Sequence, residues 1–214
     1  MNEKKYSFIT IFTYGFVLFS PIIFLQVFHA NPSQIIQLTT LAYFLGALLM
    51  IFYRSRSQLF GLERQQKNRL LTILLGLFGI PASLLLQMVI LQIEQRILGQ
   101  SVVSQNTQNI VQLIRDNMVF ILATTIAGPI MEEFVFRRAV FGALEKRFGF
   151  WFPALLSSIL FALAHNDGHY LLYACLGLLF CSMYRYSGRI WTSMITHVGM
   201  NLLVILAQLG IQSH

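Results

Sequence analysis

The residues in this sequence that suit hydrolytic chemistry are two adjacent glutamates, two histidines and one asparagine. Glu132 and Glu133 stand in one apolar stretch. His165 ends a second stretch, and His197 and Asn201 lie in a third. A carboxylate can take a proton from water, and imidazole or carboxamide groups can position that water or donate hydrogen bonds to an oxyanion. An ionisable group inside a membrane costs on the order of 3 kcal/mol, so each of these positions is a candidate functional residue. Together, such groups would suit a site that activates water to hydrolyse an amide bond.

Helical spacing distinguishes the two glutamates. Glu133 and Arg137 are four residues apart, so they lie on one helix face and can form an ion pair. Glu132 is rotated by about 100° from Glu133, so the same arginine cannot easily satisfy both carboxylates. We interpret Glu133 as structural and Glu132 as the free base. The alternative is that both glutamates simply neutralise Arg137 and Arg138 near the inner interface of the membrane.

The two histidines each have a simpler interpretation. His197 and Asn201 lie four apart on one face, and such residues commonly form hydrogen bonds between helices; Gly199 leaves room there for a neighbouring helix or a ligand. Phe161 and His165 also share a face, and His165 near a segment end could be an interfacial residue. Unrelated reasons would then be needed for the burial of the glutamate pair, the two histidines and the asparagine in three different helices. Convergence on one cavity is the more economical hypothesis.

The elements that must position these residues are membrane helices. Of 214 residues, 56% are hydrophobic and 11% are charged, whereas a soluble domain has about 25% charged residues. This composition excludes an ordinary soluble enzyme, a disordered tail and a disulfide scaffold. Apolar segments near the length of about 20 residues that spans a bilayer predict an all-α polytopic membrane protein, a bundle of about seven transmembrane helices. The segments are Phe8 to Phe28, Ile35 to Tyr53, Leu70 to Ile93, Met118 to Arg137, Trp151 to His165, Tyr170 to Tyr184 and Ile190 to Leu209.

The basic residues predict the orientation. With the N-terminus in the cytoplasm, Arg96 and Arg115 fall outside and the other thirteen of the fifteen basic residues fall inside, so the C-terminus is outside a cell membrane that is crossed several times. The thirteen are Lys4, Lys5, Arg54, Arg56, Arg64, Lys67, Arg69, Arg137, Arg138, Lys146, Arg147, Arg185 and Arg189. Clusters between apolar segments favour membrane lipid as the partner and argue against nucleic acid. Glu132, His197 and His165 are then expected roughly 8 to 20 Å from the cytoplasmic boundary.

The polar stretch from Glu94 to Asn117 is interpreted as an external loop. It divides one integral membrane domain into two regions. Residues 1–116 hold three N-terminal transmembrane helices and this loop, and residues 117–214 hold four helices with the candidate catalytic residues.

The sequence lacks the residues that several other protease mechanisms require. There is no HExxH pair for a zincin. Asp116 and Asp167 lie outside the apolar segments, so an aspartyl intramembrane protease is excluded. There is no GxSxG elbow for a serine hydrolase, and no separate base is aimed at Ser157 or Ser158.

Three motifs together resemble the CPBP intramembrane proteases, a family that includes type II CAAX prenyl endopeptidases, abortive-infection proteins and bacteriocin-immunity proteins. The motifs are EExxxR, FxxxH and HxxxN, present here as Glu132-Glu133-Phe134-Val135-Phe136-Arg137, Phe161-Ala162-Leu163-Ala164-His165 and His197-Val198-Gly199-Met200-Asn201. Each motif is weak alone, and the match becomes specific because all three occur in order in successive apolar segments. Family members usually have glycine where this chain has Arg138, a departure that bears on local packing.

The resemblance implies a helical membrane domain whose cavity opens toward the cytoplasm. It implies that Glu132 and His165 activate water and that Glu133 and Arg137 support the first motif helix. It also implies that His197 and Asn201 form the oxyanion pocket. The resemblance leaves metal dependence open. One expectation is a zinc ion held by Glu132, His165 and His197, and the other is a metal-free glutamate mechanism.

The predicted function is an intramembrane endopeptidase that cleaves a membrane-associated peptide or the tail of a membrane protein. A minimal length favours bacteriocin or pheromone processing, or self-immunity, over a prenylated CAAX substrate. The alternative from another class is a non-catalytic membrane partner or regulator of a sensor kinase or toxin. A transporter would be expected to show inverted-repeat symmetry, which the sequence does not show.

Overall fold

The computed structural model describes residues 1–101 and 104–211, which are helical almost throughout and contain no strand. The helices are α1 (Glu3–Gln26), α2 (Pro32–Arg56), α3 (Arg69–Leu98), α4 (Gln105–Asp116), α5 (residues 120–148), α6 (Trp151–His165), α7 (Tyr170–Ser187) and α8 (Ile190–Ile211). A short 3₁₀ turn, Gly61–Gln65, lies between α2 and α3. Helix α5 is continuous but changes its winding, with π-helical turns at Ala123–Ala127 and Glu133–Gly142.

The architecture confirms an all-α polytopic membrane protein. Among the described residues, four helices are long and apolar enough to cross a membrane: Glu3–Gln26, Pro32–Arg56, Arg69–Ile97 and Ile190–Gly210. Helix α6 is a shorter apolar helix of 15 residues. The seven predicted segments correspond to α1 to α3 and α5 to α8.

The fourth predicted segment ends in the wrong place. The sequence predicts that it stops at Arg137 near the inner interface, but α5 continues to Phe148. Both Arg137 and Arg138 are fully buried, so they are not membrane-surface charges and do not end the helix. Glu132 therefore lies near the middle of α5 instead of about five residues from its end.

Arg138 is held by a residue that precedes α3 in the chain. Its Nε and Nη2 donate hydrogen bonds of 2.9 Å to the two carboxylate oxygens of Glu63. Its guanidinium carbon lies 4.1 Å from the ring centroid of Tyr6 and 4.2 Å from that of Phe60. Burial alone would raise the pKa of Glu63. The hydrogen bonds and charge of Arg138, with Arg54 and the Phe60 amide, outweigh it, so the pKa is lowered below its usual value. The 3₁₀ turn is thereby fixed to α5.

The polar stretch predicted as an external loop contains helix α4. The Ser104 side chain accepts a hydrogen bond from the Thr107 amide and caps the helix. Val111 and Ile114 are buried in a small apolar cluster with Ile205 of α8. The expectation of a loop is wrong here because the apolar residues recur at helical spacing within a polar sequence. Residues 102 and 103 of the stretch lie outside the described residues.

Close helix contacts occur at glycines. A Cβ on Gly199 would overlap the Ile80 side chain, so the space predicted at this glycine is filled by α3. A Cβ on Gly177 of α7 would lie 2.8 Å from the Cβ of Ser158 in α6. One apolar core includes Tyr14 and Met50 of the first two helices together with Met131 of α5. The division at residue 116 stays a prediction, and residues 212–214 of its second part lie outside the described residues.

Candidate active site

The two glutamates of α5 have different surroundings. Glu133 is fully buried; its Oε1 lies 3.4 Å from Nε of Arg137 and accepts a 3.0 Å hydrogen bond from Nδ1 of His197. The Glu132 side chain is 18% exposed, and its Oε2 lies 3.6 Å from Nε2 of His197. The ion pair between Glu133 and Arg137 is present, as their spacing predicts. Glu133 is held by internal partners, whereas the partly exposed Glu132 borders a cavity.

Arg137 is a buried cation surrounded by aromatic rings. Its guanidinium carbon lies 4.1 Å from the ring centroid of Phe161 and 5.0 Å from that of Phe180. Aromatic faces attract a desolvated guanidinium, and the Glu133 carboxylate supplies the opposite charge. The arginine thus joins α5 to α6 and α7.

His197 lies between the two glutamates. A carboxylate oxygen accepts, so the ring donates from Nδ1 to Glu133 and turns Nε2 toward Glu132. The ring stacks on Phe180 with a centroid separation of 4.8 Å, and the edge of Phe161 meets it at 5.7 Å. Packing and the Glu133 contact therefore fix the orientation of His197.

His165 is held by its own helix and by α7. Its Nδ1 lies 2.9 Å from the carbonyl oxygen of Phe161, and its ring stacks on Tyr173 at 3.8 Å. A carbonyl oxygen only accepts, so Nδ1 carries the proton in this contact and the neutral ring keeps its Nε2 lone pair available. This tautomer suits a group that accepts a hydrogen bond from water.

A cavity of about 150 Å³ brings several predicted residues together. Glu132, His165 and Asn201 line it, and a neighbouring cavity of about 110 Å³ shares His165 and Asn201. His197 is buried and does not line either cavity; it contacts Glu132 from behind. Glu133 and Arg137 are also buried behind the wall. The six predicted residues therefore form one connected group of which three face the cavity.

Sequence reasoning missed several lining residues. Tyr14 of α1 and Tyr43 of α2 border the larger cavity, and Asn106 of α4 and Thr124 of α5 border both cavities. A single tyrosine in an apolar helix carries little signal. Asn106 stood in the stretch interpreted as a loop, so its placement could not be anticipated.

The cavities lie toward the end of the bundle opposite the N-terminus. The amino group of Met1 donates to the Arg56 carbonyl at one end. Ser104 at the start of α4 and Gln208 near the end of α8 line the smaller cavity at the other end. The cavities therefore lie nearer to the end of the bundle that holds the start of α4 than to the end that holds Met1.

The arrangement of these side chains bears on whether they could bind a metal ion. Among the described residues, no three His, Cys, Asp or Glu side chains converge closely enough to hold one. Zinc in catalytic sites usually has three protein ligands. The described side chains do not form such a set, so zinc binding stays a prediction.

Comparison with known proteins confirms the resemblance indicated by the three motifs. Residues 114–203 match the family model described as "Type II CAAX prenyl endopeptidase Rce1-like". This range contains Glu132, Glu133, Arg137, His165, His197 and Asn201.

Two curated proteins are similar to a larger part of the chain. "Putative membrane peptidase YdiL" of Bacillus subtilis is 37% identical over 150 residues, which is 69% of this chain and 62% of that protein. "Membrane-embedded CAAX protease MroQ" of Staphylococcus aureus is 33% identical over 141 residues, 63% of this chain and 57% of that protein. The chain thus covers less than two thirds of either relative. No solved structure matches it.

Proposed function

We propose that this protein is an intramembrane endopeptidase that hydrolyses a peptide bond with water activated by Glu132. The observation that carries the proposal is that the partly exposed Glu132 carboxylate lines one cavity with His165 and Asn201. The family match over residues 114–203 and the similarity to two proteins named as membrane peptidases support it.

The proposed reaction begins with a water molecule between Glu132 and His165. Glu132 takes a proton from the water while Nε2 of His165 orients it, and the oxygen attacks the scissile carbonyl. The amide of Asn201 donates to the resulting oxyanion. Glu132 then returns its proton to the departing amine, so the carboxylate is regenerated and no external reagent is consumed.

The buried residues behind the cavity support this chemistry. His197 is held by Glu133 and Phe180 with its Nε2 toward Glu132, so it supports the Glu132 carboxylate from the buried side of the cavity wall. Arg137 balances the charge of Glu133. Removing either Glu133 or Arg137 would therefore allow the His197 ring to reorient.

The proposed substrate is a membrane-associated peptide or the tail of a membrane protein. The cavities hold no more than a short extended segment, and their lining combines amide and hydroxyl side chains with apolar ones. Such a lining suits an extended backbone with uncharged side chains. Processing of a peptide pheromone or bacteriocin, or self-immunity against one, fits this substrate class.

The proposed orientation places the N-terminus in the cytoplasm. Eleven basic residues remain at the N-terminal end of the bundle once the buried Arg137 and Arg138 are removed from the thirteen, against Arg96 and Arg115 at the other end. The positive-inside rule strongly favours this arrangement. The cavity then opens toward the outer half of the membrane, in contrast to the cytoplasmic opening that the family resemblance implies.

The test compares the membrane peptides of a deletion strain that expresses the wild type, Glu132→Gln, His165→Ala or Glu145→Gln. Glu145 is the matched control because it lies on α5 but outside the cavity, near Arg185. We expect specific fragments with the wild type and the control and their loss with the other two variants. Fragments that persist in Glu132→Gln cells at wild-type levels would instead favour a non-catalytic partner.

A further inference from the structure

Helix α1 lies outside the part of the chain that matches the family model, yet it reaches the candidate base. The hydroxyl of Tyr14 donates a hydrogen bond of 3.4 Å to Oε1 of Glu132, and the Tyr14 residue is only 8% exposed. The other carboxylate oxygen, Oε2, faces His197. Two different helices, α1 and α8, thus contact the two carboxylate oxygens of Glu132.

Aromatic packing fixes the position of the Tyr14 ring. Its edge meets Phe136 of α5 with a centroid separation of 5.8 Å. Phe136 in turn meets Phe161 at 5.3 Å, and Phe161 lies one turn before His165. A continuous series of rings therefore connects Tyr14 to the second candidate catalytic residue, so its hydroxyl is directed at Glu132 by packing.

The other groups near Glu132 do not replace this contact. Tyr43 of α2 and His165 of α6 border the same cavity, and His197 of α8 lies 3.6 Å away. On α5 itself, Glu133 and Arg137 pair with each other. Among the side-chain hydrogen bonds of the described residues, the one that the Glu132 carboxylate accepts comes from Tyr14.

We propose that Tyr14 is a positioning residue that holds the Glu132 carboxylate in the orientation needed to accept a proton from water. This role rests on the proposed function. A carboxylate that rotates freely would present its lone pairs to the water only part of the time. A carboxylate held at Oε1 by a phenol and flanked at Oε2 by His197 has a fixed plane, and its remaining lone pairs stay available to the water. The N-terminal helix α1 therefore contributes a residue to the site whose other functional residues lie within residues 114–203.

A spectroscopic test examines the contact without needing a substrate. The full-length protein is labelled with [δ-¹³C]glutamate in detergent micelles, so each of the six glutamates gives a carboxyl signal. Glu132→Gln identifies the Glu132 signal by its loss. We expect Tyr14→Phe to shift that signal by more than its line width, because the ring is kept and only the hydroxyl is removed. An unmoved signal would overturn the proposal.

The matched control is Tyr6→Phe, a second buried tyrosine on α1, which packs on Phe60 and Arg138 far from the cavity. We expect it to leave the Glu132 signal in place. In cells, Tyr14→Phe should lower release of the Glu132-dependent fragments roughly tenfold, and Tyr6→Phe should not. The thermal midpoint of Tyr14→Phe should stay at the wild-type value.

The outcomes separate the two proposals. A shifted signal with unchanged fragment release would overturn the positioning role while the endopeptidase function stands. Fragments that do not depend on Glu132 at all would overturn the endopeptidase function and the role that rests on it, while the NMR result would still decide whether the two side chains are in contact.

Discussion

Nδ1 of His197 donates a 3.0 Å hydrogen bond to Oε1 of Glu133, which joins the last helix to α5 behind the cavity wall. Both side chains are buried, and the same carboxylate oxygen lies 3.4 Å from Arg137. Two adjacent glutamates therefore differ in what their loss would do. One holds buried groups in place, and the other faces the cavity.

Replacing Glu133 by alanine should destabilise the protein, whereas Glu132→Gln should not. Without Glu133 the buried Arg137 charge has no counter-ion, a loss that typically costs about 3 to 5 kcal/mol. Thermal unfolding of the purified variants in detergent measures the difference. Equal midpoints for Glu133→Ala and the wild type would contradict the structural role of Glu133.

The Glu63 and Arg138 pair should make stability fall in acid. The pKa of Glu63 is lowered in the folded protein, so its contribution is fully present above the unfolded value near 4.5 and is lost as the pH falls through the folded value. Arg138 stays charged throughout. Midpoints measured from pH 7 to pH 3 should fall more steeply for the wild type than for Glu63→Gln, which is less stable at pH 7. Parallel pH curves for the two proteins would contradict the stabilising role of the Glu63 and Arg138 pair.

Gly177→Ala should loosen the α6 and α7 hairpin that carries His165. The new methyl group would lie 2.8 Å from Cβ and 2.9 Å from Cα of Ser158, atoms that cannot rotate away. Overpacking of this kind costs about 1 to 3 kcal/mol. Gly15→Ala is the control, because nothing lies within 4 Å of its new Cβ. Similar unfolding midpoints for the two variants would show that the hairpin accommodates the methyl group.

Chelation should leave the proposed reaction intact. Glu132, His165 and His197 do not form a three-ligand group, and the glutamate mechanism needs none. Fragment release by membranes treated with 1,10-phenanthroline should match that of untreated membranes. Inhibition that added Zn²⁺ reverses would support the alternative expectation of a zinc ion.

The sequence predicts the elements that long apolar runs or short spacings specify. Hydropathy places α1, α2 and α3, and the four-residue spacing predicts the Glu133 and Arg137 pair. It could not predict that Glu63 would neutralise Arg138, because that contact joins residues 75 positions apart. For this reason the predicted end of the fourth segment at Arg137 is wrong.

The same limit applies to the cavity. Glu132, His165 and Asn201 were grouped by residue type, since polar groups in apolar helices are few. Tyr14 and Asn106 have no such signal, because their importance comes from helix packing that only the folded chain shows.

The polar end of α4 is linked to His165 through Asp167. Oδ2 of Asp167 accepts hydrogen bonds from Ser104, the capping residue of α4, and from the hydroxyl of Tyr173 at 2.9 Å. The Tyr173 ring stacks on His165. One carboxylate thus contacts both the capping residue of α4 and the tyrosine that stacks on His165.

Asp167→Asn should therefore lower the release of Glu132-dependent fragments, by about tenfold. An asparagine cannot accept both hydrogen bonds with the strength of a carboxylate, so Tyr173 is released and His165 loses its stacking partner. Asp116→Asn at the far end of α4 is the control and should leave release unchanged. Equal loss in both variants would mean that α4 responds to charge in general, and an active Asp167→Asn would show that Tyr173 holds His165 without the carboxylate.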